Sequence, residues 1–127
     1  MAPVAARLAL GNEPADFGPA VHDVERLPIR LRAEEVAGRL VGRVIHVDRF
    51  GNMITNIRAD QLPGGQTRVL ADQRDLGELR KTFADVPRGQ PVAYLGSAGF
   101  VEIAVNQGRA SELFAECQTV CVQTGRP

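Results

Sequence analysis

Five consecutive residues, Asp48-Arg49-Phe50-Gly51-Asn52, carry the densest set of chemically useful groups in the chain. Asp48 offers a carboxylate that can hold an ammonium by a charge-assisted hydrogen bond. Its competing roles are to cap the turn or to pair with Arg49 on the surface, a pairing worth little. Phe50 places an aromatic ring in a turn, where burial is not automatic; stacking on a flat ligand ring competes with ordinary core packing. Asn52 presents a donor and an acceptor on one planar group, the complement of a polar ring edge. Its plainer role is to tolerate left-handed backbone. Together these groups suit a small polar molecule with a flat ring. A second small-residue turn, Gly96-Ser97-Ala98-Gly99, offers a hydroxyl and exposed backbone N–H groups, which suit a carboxylate. Other polar residues read more simply. His46 sits mid-strand and suits a surface or interface. Glu102 belongs to the outside of the sheet, Glu34-Glu35 is solvated, and Thr55 and Asn56 satisfy backbone groups.

The elements that must position these groups are strands. Residues 43–48 alternate, with Val44, His46 and Asp48 on one face and Ile45 and Val47 on the other. Met53 to Ile57 reads as the returning strand of a hairpin. Upstream, Arg26 to Arg32 alternates apolar and basic residues and reads as an edge strand because of Pro28. Glu34 to Ala37 reads as a turn, and Arg39 to Val47 as a longer strand in which Gly42 marks a bulge or bend. Ala59 to Leu62 is a helical turn, and Thr67 to Leu70 a short strand. Leu79, Lys81 and Phe83 alternate as a strand would. Gln90 to Leu95, Phe100 to Val105 and Cys117 to Val122 complete the set, with a short helix over Arg109 to Phe114. Residues 3–10 form an amphipathic helix whose face holds Val4, Ala5 and Leu8, followed by linker-like sequence with Pro14 and Pro19. Many short strands, frequent Gly/Pro turns and little helix predict an all-β antiparallel barrel or sandwich.

Composition narrows the function classes. The 127 residues suit one domain with a sizeable core. Fifteen basic residues balance fifteen acidic ones, and no basic stripe suggests a nucleic-acid surface. No apolar run is long enough for a helical membrane span, so the expectation is a cytoplasmic chain without nucleic-acid or membrane partners. Two cysteines, Cys117 and Cys121, would sit about 13 Å apart if both lie on one strand. That is too far for a disulfide, so free, buried thiols are expected. They supply too few ligands for a metal site.

Three segments carry a family resemblance. VDRFGNMITNI (residues 47–57) resembles the signature of the C-terminal domain of the S-adenosylmethionine (SAM) hydrolases. These are also called SAM hydroxide adenosyltransferases, and the fluorinases and chlorinases are their relatives. LGSAGFVEIAVNQ (95–107) resembles the family's NSxGYLEIAxN stretch, and residues 2–18 resemble the helix and linker between its two domains. The resemblance implies a small Greek-key β-barrel over residues 25–127, with 1–24 as the remnant of the interdomain helix and linker. It implies that Asp48 holds the methionine amino group of SAM and that Asn52 contacts adenine. With such a ligand, stacking on the adenine face would explain Phe50, with core packing as the competing account, and Ser97 would help hold the carboxylate. Backbone groups at Val105 to Gln107 would hold adenine. Halogenating relatives have arginines where this chain has Ala98 and Val105, departures that favour the hydrolase branch.

In that family an Asp, an Arg and a His of the N-terminal α/β domain activate the attacking water, and no residue here is assigned to that trio. The site lies between subunits of a trimer. The expected role is therefore the substrate-binding part of an enzyme that converts SAM and water to adenosine and methionine. SAM is a substrate, and no cofactor is implied. The isolated chain should be inactive, needing a homo-oligomer or a separate N-terminal-domain chain. The alternatives are a non-catalytic module that binds adenosine or SAM, and a truncated relic.

Overall fold

The computed structural model describes residues 2–25 and 30–124. Eight strands and two short α-helices follow one another: α1 (Ala2–Ala9), β1 (Glu34–Val36), β2 (Arg39–Val47), β3 (Met53–Arg58), β4 (Thr67–Ala71), β5 (Arg74–Glu78), β6 (Pro91–Leu95), β7 (Phe100–Val105), α2 (Ala110–Leu113) and β8 (Thr119–Thr124). Seven strands run in the order β5-β4-β8-β2-β3-β7-β6, and β1 pairs with β2 outside that path. Every ladder is antiparallel. The chain from β7 returns past β3 and β2 to lay β8 beside β2, the Greek-key arrangement. The sheet nearly closes on itself. Beyond β5, Leu79 N–H donates to the Thr67 carbonyl at 3.0 Å, and Arg80 N–H donates to the Ala93 carbonyl at 2.8 Å. A single parallel bridge there joins Arg80 to Tyr94 on β6.

Alternation along the strands fills the barrel. Val101 and Ile103 of β7, Val120 and Val122 of β8, Val69 of β4 and Ile57 of β3 are fully buried. Such side chains each contribute about 2 kcal/mol relative to exposure. Thr55 is also fully buried, and its hydroxyl donates to the Val101 carbonyl at 2.7 Å. That bond satisfies the hydroxyl that β3 brings into the core.

Several expectations change. Glu34–Val36 is a strand; the turn is Ala37-Gly38, both at positive φ (50° and 74°), as a tight two-residue hairpin demands. Gly42 is not the bulge. The register slips between Val44 and His46, while Gly42 keeps regular pairing with Val120. Its missing side chain instead admits Asn56 and Ile57, since a Cβ there would lie 2.7 Å from Asn56 Oδ1. The expected alternation at Leu79, Lys81 and Phe83 is not a strand; a 3-10 turn covers Phe83–Asp85. The strand of this region is β5, whose charged sequence hides it. Arg68 of β4 holds Asp75 of β5 through Nε (2.9 Å) and Nη2 (2.7 Å).

Cys117 is not on the last strand. It follows α2 in a turn, its N–H donating to the Phe114 carbonyl at 2.9 Å, and β8 begins at Thr119. Both thiols are free, Cys117 buried and Cys121 half-buried. Burial and nearby Asp72 push the Cys117 thiol up to about 11.

The N-terminal helix forms as expected but buries none of its residues; Val4 and Leu8 are each 41% exposed. Of the strand expected over Arg26 to Arg32, residues 26–29 lie outside the described residues, and Arg30 to Arg32 have no strand pairing. No described helix is long and apolar enough to cross a membrane.

Candidate functional site

The hairpin turn between β2 and β3 is tied together by its own aspartate. Asp48 Oδ1 accepts from the backbone N–H of Phe50 (2.8 Å) and of Asn52 (2.9 Å), and Oδ2 accepts from the Asn52 side-chain amide at 3.0 Å. Backbone bonds from Gly51 N–H to the Asp48 carbonyl and from Asp48 N–H to the Asn52 carbonyl, both 3.0 Å, close the loop. Partial burial acts to raise the Asp48 carboxyl. The hydrogen bonds from Asn52, Phe50 and Gly51 outweigh it and hold the group below its ordinary value. The carboxylate stays charged and keeps acceptor capacity on Oδ2. Asn52 keeps its Oδ1 and one N–H uncommitted among the described residues.

Phe50 is not core. It is 60% exposed, and the Arg49 guanidinium lies over its ring, 4.6 Å from the centroid. No ion pair joins Asp48 to Arg49 among the described residues, because Arg49 turns to the ring instead. The turn is also braced from outside by Arg109, a residue that sequence reasoning missed. Its Nη1 donates to the Arg49 carbonyl at 3.1 Å, and Ser111 N–H donates to the Gly51 carbonyl at 3.0 Å. Gly51 sits at φ 85°, and a Cβ there would come 2.8 Å from Arg109 Cβ. Position 51 therefore needs glycine both for its dihedral and for this close approach. The brace from Arg109 to Arg49 joins residues 60 apart in sequence, so no local pattern announces it.

The end of β7 reaches the same end of the sheet, since Met53 pairs with Ile103. There Asn106 is held at both backbone groups, its N–H donating to Gln90 (3.1 Å) and its carbonyl accepting from Gly89 (2.8 Å). Its side chain donates to the Val86 carbonyl at 2.7 Å. Val105 is buried; Gln107 is exposed at φ 54°, with no backbone partner among the described residues. Gln107 therefore keeps its backbone groups available. Phe83, 51% exposed on the stretch leading into the same loop, is a further open aromatic. Its place at a 3-10 turn was hidden by the strand-like spacing.

Ser97 lies elsewhere. Its turn precedes β7, closed by Gly99 N–H to Gly96 and Gly96 N–H to Phe100, and it abuts the far end of β3 through Ala59 N–H to the Gly99 carbonyl at 2.9 Å. Thus Asp48, Phe50, Asn52, Val105 and Gln107 gather at one end of β3 and β7, and Ser97 stands at the other. The outer face between them carries Glu102 and Tyr94, paired across β6 and β7, with the phenol donating to Glu102 Oε2 at 2.7 Å. Glu102 is therefore a half-buried, hydrogen-bonded residue rather than a freely solvated one. Its carboxylate fills the space over Gly96, where any side chain would meet it. Burial first, then the Glu102 and Asp48 charges, raise the Tyr94 phenol far above its ordinary value, which keeps it a neutral donor. His46 is exposed, as its sequence position suggests. No cluster of three or more His, Cys, Asp or Glu side chains able to hold a metal occurs among the described residues.

A seven-strand, nearly closed antiparallel barrel with polar groups gathered at its hairpin ends defines a small β-barrel domain. The comparisons with known proteins make this specific. Residues 42–117 match the family model of the SAM hydroxide adenosyltransferase C-terminal domain. The (R)-S-adenosyl-L-methionine hydrolase of Thermus thermophilus is 44% identical over 117 residues, which cover 87% of this chain and 41% of that protein. Its namesake from Salinispora arenicola is 42% identical over 119 residues, covering 90% of this chain and 44% of that protein. A crystal structure of an uncharacterized conserved protein from Thermotoga maritima superposes with a TM-score of 0.70 at 32% identity, over 96% of this chain and 49% of that one. The crystal structure of a conserved hypothetical protein from Thermus thermophilus gives 0.66 at 44% identity, with the same coverages. The chain belongs to the SAM hydroxide adenosyltransferase family and corresponds to its C-terminal domain. It spans less than half the length of the curated relatives it matches.

Proposed function

We propose that this domain is the substrate-holding wall of a SAM hydrolase, which converts SAM and water to adenosine and methionine. The observation that carries the proposal is the exposed Phe50 ring on a turn made rigid by Asp48 and Arg109, within a chain related to SAM hydrolases. Phe50 stacks on adenine. Asn52 uses its uncommitted Oδ1 and N–H on the adenine edge, and the Gln107 backbone supplies a further contact there. Asp48 takes the amino group of the methionine part through Oδ2. Val105, buried in the core, anchors the end of β7 from which the Gln107 segment leaves. The reaction displaces methionine from the ribose C5′. Its sulfonium is already a good leaving group, so the site mainly positions the substrate and a water. The groups that activate the water come from an N-terminal α/β unit, and the trimeric arrangement of the family supplies the closed pocket. Residues 1–24 act as the connection to that unit, in keeping with an α1 that buries none of its own residues. SAM enters as substrate, with no cofactor, in a cytoplasmic setting.

The test is an NMR titration of the purified chain with adenosine. Saturable shifts centred on residues 48–52 and 105–107, weakened about tenfold in Phe50→Ala, are expected, since a base stacked on an aromatic ring is worth about 1–3 kcal/mol. No shifts at millimolar adenosine would sink the ligand wall. The isolated chain should release no adenosine from SAM; turnover by the pure chain would overturn the division of labour.

A further inference from the structure

On the face of the barrel formed by β1, β2 and the start of β8 lies a cavity of about 710 Å³, a size usual for small-molecule sites. Arg30, Arg32 and Arg43 line it, together with Glu34, Asn56 and Thr119. Among the described lining residues three arginines stand against one carboxylate, an excess of positive charge.

One buried side chain organises the three arginines. Asn56 is only 5% exposed. Its Nδ2 donates to the carbonyls of Arg30 (2.8 Å) and Arg32 (3.0 Å), and its Oδ1 accepts from Arg43 N–H at 2.7 Å. Among the described residues, all the hydrogen bonds of its side chain go to these three backbones. The close approach depends on Gly42, where a Cβ would stand 2.7 Å from Asn56 Oδ1. Segments distant in sequence are thereby fixed around one opening.

The guanidiniums are available. Arg43 has no ion pair among the described residues. Arg32 pairs with Asp60 at 3.0 Å, but Asp60 also holds Arg58 at 3.3 Å, so it keeps a partner when Arg32 turns away. Arg30 pairs with Glu34 on the open surface, where both side chains are more than half exposed. Exposed pairs of this kind are worth little and exchange readily. Arginine forks bind paired oxygens of phosphate or carboxylate in a planar, bidentate manner.

We propose that this cavity binds a small multivalent oxyanion through Arg30, Arg32 and Arg43, at a site separate from the Asp48–Asn52 turn. The oxyanion chemistry is shared by phosphate-bearing and polycarboxylate molecules. Pyrophosphate and citrate are the two probes that tell them apart.

The experiment titrates the purified chain with each probe at constant ionic strength and follows backbone amides by NMR. The expected result is saturable shifts at Arg32, Arg43, Asn56 and Thr119. Arg43→Gln should weaken binding about tenfold, the scale of one charge-assisted contact. Arg39→Gln, an exposed arginine of the same strand outside the cavity, should leave it unchanged. Tighter binding of pyrophosphate assigns a phosphate site, and tighter binding of citrate a polycarboxylate site. Linear shifts spread over all arginines, or equal losses in Arg39→Gln and Arg43→Gln, would overturn the proposal. Adenosine plays no part in the measurement, so its outcome is independent of the ligand wall.

Discussion

The two turns that carry the candidate binding groups are held in opposite ways. The Asp48–Asn52 turn is locked by a side chain, with three hydrogen bonds running to one carboxylate, and braced by Arg109. The Gly96–Gly99 turn is closed by backbone bonds alone, and the Ser97 hydroxyl has no partner among the described residues. The first turn has committed its polar groups to its own shape and presents what remains: a ring face, one amide edge and one carboxylate oxygen. The second presents an uncommitted hydroxyl. A rigid platform suits the flat, rigid part of a ligand, and an adaptable clasp suits a flexible tail. The difference also shows that capping and ligand binding need not compete at Asp48, because a carboxylate has more acceptor sites than the turn uses.

The largest test of this contrast swaps a glycine in each turn. Gly51→Ala should cost about 2–3 kcal/mol, from the positive φ and the collision with Arg109 together. Gly99→Ala has a similar φ of 78° but meets open space, so it should cost about 1 kcal/mol. Urea unfolding of both variants measures the gap, and equal costs would remove the distinction between the turns. Asp48→Ala comes next. Losing the shared acceptor should cost about 1–2 kcal/mol on a partly exposed turn. It should also broaden the amide signals of Phe50 and Asn52.

A smaller effect concerns pH. The Asp48 carboxyl is held below its ordinary value of 3.8, so the unfolded chain takes up the proton first. Its stabilising contribution is complete above that value and disappears as pH falls through the lower, folded value. Hydrogen bonds from Arg32 and Arg68 lower Asp60 and Asp75 likewise, so wild type and Asp48→Ala should both weaken in acid. Their stability difference should nevertheless shrink between about pH 5 and pH 2, values spanning the ordinary carboxylate range. A constant difference across that range would mean that the carboxylate charge does not matter to the turn. Ser97→Ala closes the series with the smallest change, within about 0.5 kcal/mol in stability. A larger loss would show that its hydroxyl is already committed.

Local chemistry explains which parts were legible without the structure. The Asp-Arg-Phe-Gly-Asn turn and β7 announce themselves through short-range signals: turn residues at fixed offsets and clean alternation. β5 stayed hidden because an edge strand needs little apolar alternation; Arg74, Asp75 and Glu78 read as loop until Arg68 is seen gripping Asp75. Cys117 was placed on a strand because its neighbours are strand-like, yet the turn after α2 takes it out of the ladder. Family resemblance located the candidate site residues but did not show Phe50 exposed or Ser97 at the opposite end of β7.

The sequence by itself determined the all-β barrel class, the principal hairpin and the family, because periodicity, turn chemistry and motif are properties of neighbours along the chain. Only the tertiary structure decided that Arg109 braces residue 51, that Glu102 occupies the space above Gly96, and that Asn56 gathers three arginines. Each of these joins backbone or side-chain atoms from different strands or loops. Hydrogen-bond geometry and close packing depend on distance in space, which sheet register and barrel closure set and linear spacing does not.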